Sequence, residues 1–449
     1  MSKTTEVFKA YDIRGVYPYE INADLGRNIG RAFSIFIKRV SSRSERVVIG
    51  RDMRESGKAL FDSFAAGVMD QGLNVVDIGL ASTDMCYFAS GHFDCPAAMI
   101  TASHNPSEYN GFKLCLSNAK PIGQNTGLEE ISKIVEQTPK AGPELGKVEN
   151  LDILETFASH VCSFIDKSKI RPLKVVADTA NGMGGLILPP VFEKLPCELE
   201  ILFPELDGSF PNHPADPIQI ENLEHLRRHV LKTGADIGLA FDGDADRVFL
   251  VDGSGEPVSG SLTTALIADR ILQKENNGTV IYNLICSKVV PEVIRERGGR
   301  AVRSRVGHSF IKELMEQENA VFAGEHSGHY YFRENFRADS GIIAALIVLE
   351  AMSQEECDLS EILAPFKRYV GSGEINFVVP EPEKSIALVA ENYSDYKTDL
   401  LDGLTVESDN WWFNLRPSNT EPLLRLNLEA DHQHICNQLL TEVRTLLSQ

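Results

Sequence analysis

Residues 236–247 read DIGLAFDGDADR: an apolar run, IGLA, breaks into a turn that carries Asp242, Asp244 and Asp246. A short apolar run closed by turn residues is the pattern of a buried strand. The same rhythm recurs in RVVIGRDMR (46–54), LKVVADTANGMGG (173–185) and TVIYNLICSK (279–288), with helical periods between them. Leu25, Ile29, Phe33, Phe36 and Val40 share one helical face, as do Leu60, Phe64 and Val68. Strands alternating with amphipathic helices predict α/β layers.

At 449 residues the chain exceeds one hydrophobic core and predicts three or four domains. Polar, Gly- and Pro-containing segments at 138–150, 252–260 and 369–374 divide it into 1–150, 151–253, 254–368 and 369–449. The last piece differs. INFVV and LLRLNLEA suggest antiparallel strands, followed by a helix with Cys436, Leu439, Leu440, Val443 and Leu447 on one stripe, a small α+β domain.

A formal charge of −20 argues against a nucleic-acid or anionic-membrane surface, which demands an excess of Lys and Arg. It leaves room for a small anionic ligand at a local cluster of cations. The eight cysteines are scattered without a C-x-x-C pair and read as reduced. The N-terminus lacks an apolar signal core, and no run approaches the roughly 18 apolar residues of a membrane span. A cytoplasmic protein is expected.

Three carboxylates at alternate positions repel unless something neutralises them, and a hard divalent cation with oxygen ligands does so. A solvated acidic turn is the other reading. A calcium EF-hand is disfavoured because Arg247 stands at the sixth loop position and Gly253 at the twelfth. Magnesium is favoured, with Arg247 available to a phosphate oxygen.

Other turns carry chemistry. RPSNTEPLLR (416–425) offers Arg416, Ser418, Asn419, Thr420 and Arg425, a set suited to a phosphate dianion or to an ordinary Ser/Asn/Pro turn. GEHSGH (324–329) offers Glu325 and Ser327 to sugar hydroxyls; its His326 and His329 lack the helical setting of a zinc protease. SRVGHSFIK (304–312) places His308 after a glycine, as a proton carrier or a structural hydrogen-bonder. YDIRG supplies Arg14. In TASHNPSEYNGFK (101–113), Ser103 stands beside His104 in a turn, and Lys113 follows ten residues later. No G-x-S-x-G elbow is present, so Ser103 is a structural turn residue or, beside a metal, a phosphoryl carrier. Neither G-x-x-x-x-G-K-[ST] nor G-x-G-x-x-G appears, which disfavours a kinase or dehydrogenase.

Taken together, TASHNPSEYNGFK, DGDADR, GEHSGH and RPSNTEP resemble the α-D-phosphohexomutase superfamily, nearest its phosphomannomutase/phosphoglucomutase branch. YDIRG, DTANGMGG, DGSFPNHPADP and VGHSFIK extend the resemblance from Phe8 to Arg425. It implies three related mixed α/β domains plus a smaller C-terminal α+β domain like a TATA-binding protein, around a central cleft. It implies a phosphorylated Ser103, Mg²⁺ held by Ser103 phosphate, Asp242, Asp244 and Asp246, and a hexose 1,6-bisphosphate intermediate. Glu325 and Ser327, with His329 in the same loop, are the implied sugar contacts. Arg416, Ser418, Asn419, Thr420 and Arg425 are the implied clamp for the distal phosphate. Arg14, Lys113, Arg247 and His308 match cleft residues, with Lys113 and His308 as acid/base candidates. The implied partners are small hexose phosphates, acting on a monomer or homodimer. Departures are His326, where many relatives carry Met or Gln, and Lys288, an uncertain substitute for a cleft lysine. The rival readings are a phosphoglucosamine mutase, a metal-dependent sugar phosphatase, and a non-catalytic sugar-phosphate binder.

Overall fold

The computed structural model describes residues 6–41, 44–143, 145–417 and 423–448. Its first sheet runs in the order Ile13–Val16, Tyr109–Leu116, Ala97–Ile100, Arg46–Arg51, Asn74–Leu80, Val148–Asn150, with Lys120–Pro121 beside Tyr109–Leu116. Arg46–Arg51 is parallel to both neighbours, and its central residues are buried, as helices on both faces require. The helix Ala23–Val40 starts where the Asn22 side chain accepts from the Leu25 N–H, and it buries Ile29, Phe33, Phe36 and Ile37. Val40 departs from the expected stripe. It is 51% exposed, because the helix's last turn extends past its neighbours' cover.

The second sheet has the order Pro257–Val258, Val248–Asp252, Ile237–Phe241, Lys174–Asp178, Glu198–Leu202. Ile237–Phe241 and Val248–Asp252 are antiparallel, so the aspartate turn is the tip of a hairpin. The stretch 252–260, read as a boundary, begins inside this sheet. Asp252 Oδ1 accepts from the N–H groups of Ser254 and Glu256, and the chain folds back to pair Pro257–Val258 with Val248–Asp252. Gly and Ser here serve a hairpin turn.

The third sheet, Arg300–Ser304, Thr279–Asn283, Phe322–Gly324, Tyr330–Phe332, ends in an antiparallel pair joined by the GEHSGH turn. The fourth is antiparallel throughout, in the order Val370–Phe377, Leu424–Ala430, Trp411–Pro417, Leu404–Glu407, Lys397–Asp399, with the helices Pro382–Asn392 and Gln433–Leu447 packed on it. Cys436, Leu439 and Val443 are the buried residues of its last helix.

The four sheets are not equally independent. One apolar cluster passes without interruption from Val48, Met85 and Phe88 through Phe157, Val175 and Ile187 to Leu266, Ile343 and Leu346, tying the first three units together. The last sheet has a separate cluster that includes Val389, Phe413, Leu426 and Val443. Polar contacts link it to the rest. Glu429 accepts from the Lys288 N–H and from Trp412 Nε1, the Lys288 ammonium donates to Ser408 O, Arg303 pairs with Asp399 and Glu407, and Asp402 accepts from the Val306 N–H. Among the described residues no helix is long and apolar enough to cross a membrane.

Candidate active site

The aspartate hairpin tip lies directly on the Ser103 turn. A Cβ on Gly243 would stand 2.5 Å from Ser103 O, so this contact requires glycine. Ser103 itself has φ +51°, and its N–H donates to Thr101 Oγ1 at 2.8 Å. The Ser103 hydroxyl thereby reaches Asp242 Oδ2 at 2.8 Å.

All three aspartates are buried, and carboxylate oxygens of Asp242, Asp244 and Asp246 lie within 4.8 Å of one another. Oδ1 of Asp244 and Oδ1 of Asp246 are buried without a hydrogen-bond partner. Buried acceptors left unpaired are costly, and a cation with oxygen ligands removes the cost. The donor set therefore fits a hard divalent ion. The same cluster already draws cations. Lys113 Nζ donates to Asp244 Oδ2 at 2.8 Å and to Asp246 Oδ2 at 2.7 Å, and Arg247 Nε donates to Asp242 Oδ2 at 3.0 Å.

Burial raises the Asp242 carboxyl to about 7, against the pull of Arg247 and with the help of Asp246 and Asp244. Asp244 moves the other way: burial alone would raise it, but Lys113 holds it low. Burial would likewise lower Lys113, and Asp244 and Asp246 raise it well above its ordinary value. Lys113 is thus held as a cation between two carboxylates. His308 is the complement. Burial and the nearby Lys312 depress it well below the usual imidazole value, leaving it neutral and able to accept a proton.

His308 opens the helix His308–Glu318, and its ring lies 5.3 Å from that of Tyr11, whose hydroxyl donates to Val306 O. Arg14 donates to Asn105 Oδ1 at 2.7 Å, which brings its guanidinium to the Ser103 turn. The GEHSGH turn is joined to the aspartate hairpin through the Arg247–His329 backbone bridge. Glu325 accepts from the Tyr331 hydroxyl at 2.6 Å and Asn283 Nδ2 at 3.2 Å, while Ser327 is half-buried at the turn's tip.

His329, expected among the sugar contacts, has one ring nitrogen turned to carboxylates. Its Nδ1 is 2.8 Å from Asp339 Oδ2 and 3.8 Å from Asp246 Oδ1, so it faces carboxylates of the metal side. Burial would lower its pKa, but Asp246 and Asp339 raise it. Asp246 lies 83 residues before His329 in the chain, so this approach has no local sequence signal.

The clamp is partly visible. Arg416 and Arg425 stand directly opposite each other on paired strands, an arrangement of like charges that needs an anion. Glu374 provides one, 3.2 Å from each. Ser418, Asn419 and Thr420 lie outside the described residues. Lys288, considered as a cleft lysine, is turned to Ser408 O in the last domain. His326 is half-buried, with Nδ1 lacking a partner, and feels Glu374, Arg416 and Arg425 across the domain boundary. The sequence reading missed Thr83, whose hydroxyl donates to Asp244 Oδ2 at 2.5 Å, and Asp339; neither sits in a chemical motif.

Residues 5–141, 154–255 and 259–369 match the phosphoglucomutase/phosphomannomutase alpha/beta/alpha domains I, II and III, and 374–446 match the C-terminal domain. The chain belongs to the phosphoglucomutase/phosphomannomutase family and is a hexose-phosphate mutase. It is 38% identical to a phosphomannomutase of Methanocaldococcus jannaschii, covering 98% of this chain and 97% of that one. It is 40% identical to phosphohexose mutases of Xanthomonas campestris, covering 95% of each. A crystal structure of a phosphoglucomutase/phosphomannomutase family protein from Burkholderia thailandensis superposes with TM-score 0.90 at 31% identity, covering 100% of this chain and 97% of that one.

Proposed function

We propose that the enzyme interconverts hexose 6-phosphate and α-hexose 1-phosphate, of mannose or glucose, with Ser103 as the phosphoryl carrier. The observation that carries this reading is the Ser103 hydroxyl at 2.8 Å from Asp242, within a carboxylate cluster that retains unpaired buried oxygens. Asp242, Asp244 and Asp246 would hold Mg²⁺, which when bound neutralises phosphoryl charge.

Phospho-Ser103 gives its phosphoryl group to the free hydroxyl of the bound sugar phosphate. The Oγ–P bond breaks as the sugar O–P bond forms, giving a 1,6-bisphosphate. His308, neutral in its buried setting, takes the hydroxyl proton, and the leaving Ser103 Oγ receives a proton from the ammonium of Lys113. After the intermediate turns over, its other phosphate returns to Ser103 by the reverse step. Arg14 and Arg247 stabilise the transferring group, since phosphoryl transfer depends on positioning and charge more than on covalent assistance.

Glu325 and Ser327 bind sugar hydroxyls common to mannose and glucose, and His329, with Asp339, holds a proton beside the metal loop. Arg416, Arg425, Ser418, Asn419 and Thr420 grip the non-reacting phosphate in either orientation. Four domains, a cytoplasmic setting and a monomer or homodimer complete the reading; eight free cysteines support a reducing compartment.

A coupled assay with mannose, glucose and glucosamine phosphates, Mg²⁺ and a trace of hexose 1,6-bisphosphate tests it. Turnover of the two neutral sugars, abolished in Ser103→Ala, is expected. A strong preference for the amino sugar overturns the substrate assignment, and full activity of Ser103→Ala overturns the carrier.

A further inference from the structure

Arg54 belongs to none of the phosphate-binding turns, yet it lies at the centre of the one that carries Ser103. It follows the strand Arg46–Arg51, and its side chain is 0% exposed. A guanidinium has five N–H donors in a fixed plane, and here each has an acceptor. Nε donates to Asp52 Oδ2 at 3.2 Å. Nη1 donates to Pro106 O at 2.7 Å and Tyr109 O at 2.9 Å. Nη2 donates to Ser103 O at 2.9 Å and Asn105 O at 2.6 Å. The turn 103–109 is thus wrapped around one planar cation. Phe210, from the second domain, closes the remaining face, with its ring centroid 5.2 Å from the guanidinium carbon.

These contacts bear on one atom. Ser103 is a non-glycine residue at φ +51°, a conformation that persists only where the surroundings over-determine it. Its N–H is held by Thr101, its carbonyl by Arg54, and Gly243 of the aspartate hairpin lies against that same carbonyl. The direction of the Ser103 Cα–Cβ bond, and so the place of Oγ beside Asp242, follows from those restraints.

We infer that Arg54 is a positioning residue for phosphoryl transfer: its guanidinium template holds the Ser103 turn so that the phosphoryl group meets the aspartate loop. The inference rests on the reading of Ser103 as the carrier. All five guanidinium N–H groups of Arg54 are taken up by protein acceptors, which leaves none for a ligand. Lysine at this place keeps the charge and loses the template, because an ammonium is a point donor and cannot span four carbonyls in a plane.

The test compares Arg54→Lys with Asp52→Asn. The second variant removes the carboxylate beside Nε and leaves all four carbonyl contacts, so it perturbs the same buried charge without releasing the turn. Steady-state kcat and KM, the thermal midpoint, and transfer of label from ³²P-hexose 1,6-bisphosphate to Ser103 are measured on both and on the wild type. The expected result is a kcat loss of about a hundredfold in Arg54→Lys, the scale of a misplacement by about 1 Å. Its KM stays near the wild-type value, because the sugar turn and the clamp lie on other domains. Label transfer slows in parallel with kcat. Asp52→Asn is expected to lose thermal stability to a similar degree and to retain most of its turnover.

Losses of kcat that track the fall in thermal midpoint across the two variants overturn the inference in favour of a purely structural role. So does an Arg54→Lys protein with normal turnover and label transfer. Wild-type protein that is active but takes no label at Ser103 removes the carrier reading, and the inference with it; that outcome is distinct from a labelled wild type and an unimpaired variant.

Discussion

The three-domain body and the C-terminal domain are held by different physics. The body shares one apolar cluster across its units, whereas the last domain closes its own core and meets the body through Lys288, Arg303, Glu407 and Glu429. Apolar burial is insensitive to salt and cooperative across whatever shares it. Partly exposed ion pairs are weak, screened and reversible. The proposed reacting turns therefore lie on the units that share this core, and the proposed clamp Arg416–Arg425 lies on the separately closed last domain. On the proposed reaction, a bisphosphate that turns around without escaping would be served by that division of labour.

The largest effect is expected inside the shared core. Phe157 is 1% exposed and lies 5.8 Å from Phe88 of the first domain. Phe157→Ala should cost about 3–5 kcal/mol, and urea unfolding followed by hydrogen exchange should show the first three domains weakening together. Loss confined to one of them would break the claim of a common core.

Acid is the next lever. Burial would raise Glu407, but Lys397 and Arg303 hold it below its ordinary carboxylate value. A depressed carboxylate stabilises above its unfolded pKa, and that contribution fades as pH falls through the folded one. Proteolysis of the last domain should therefore rise as pH drops below about 4.5, before the apolar body opens. Simultaneous cleavage of both would count against separate docking.

A smaller effect is expected from Arg303→Ala, which removes both partners' contact at once. Pairs this exposed contribute about 1 kcal/mol or less each. KM should rise severalfold with kcat little changed, since the clamp and not the Ser103 site is loosened; a kcat loss without a KM change would contradict it. Smallest is the effect of salt. Raising NaCl to about 1 M shortens the screening length to about 3 Å and should increase hydrogen exchange in the C-terminal domain alone.

The strand and turn order was legible because each chemical turn follows an apolar run, so DGDADR, GEHSGH and TASHNP could be placed at strand ends. What covers an apolar face was not. Periodicity marks Leu60, Phe64 and Val68 as one helical face without saying which cluster that face joins. The Ser, Gly and Pro of 252–260 signal a turn, and the break between the matched segments 154–255 and 259–369 falls within it. Within the site, Ser103, the aspartates, Lys113 and Arg247 come together as their motifs suggested. Thr83, Asp339 and Arg54 were illegible because each acts on a distant segment and carries no pattern of its own. His329 sat in a recognisable turn, and its neighbour Asp339 decided which way it faces.

The chain contains two tryptophans, and both, Trp411 and Trp412, are in the C-terminal domain. The indole N–H of Trp412 ends on Glu429, the carboxylate that also receives the Lys288 N–H of the body. The protein consequently carries its own optical label. Excited at the red edge of its absorption, it emits from the C-terminal domain and is silent about the body, and the indole tied to Glu429 would register any parting of that seam. Stopped-flow emission on the unmodified enzyme therefore tests whether the seam opens during turnover, without a dye.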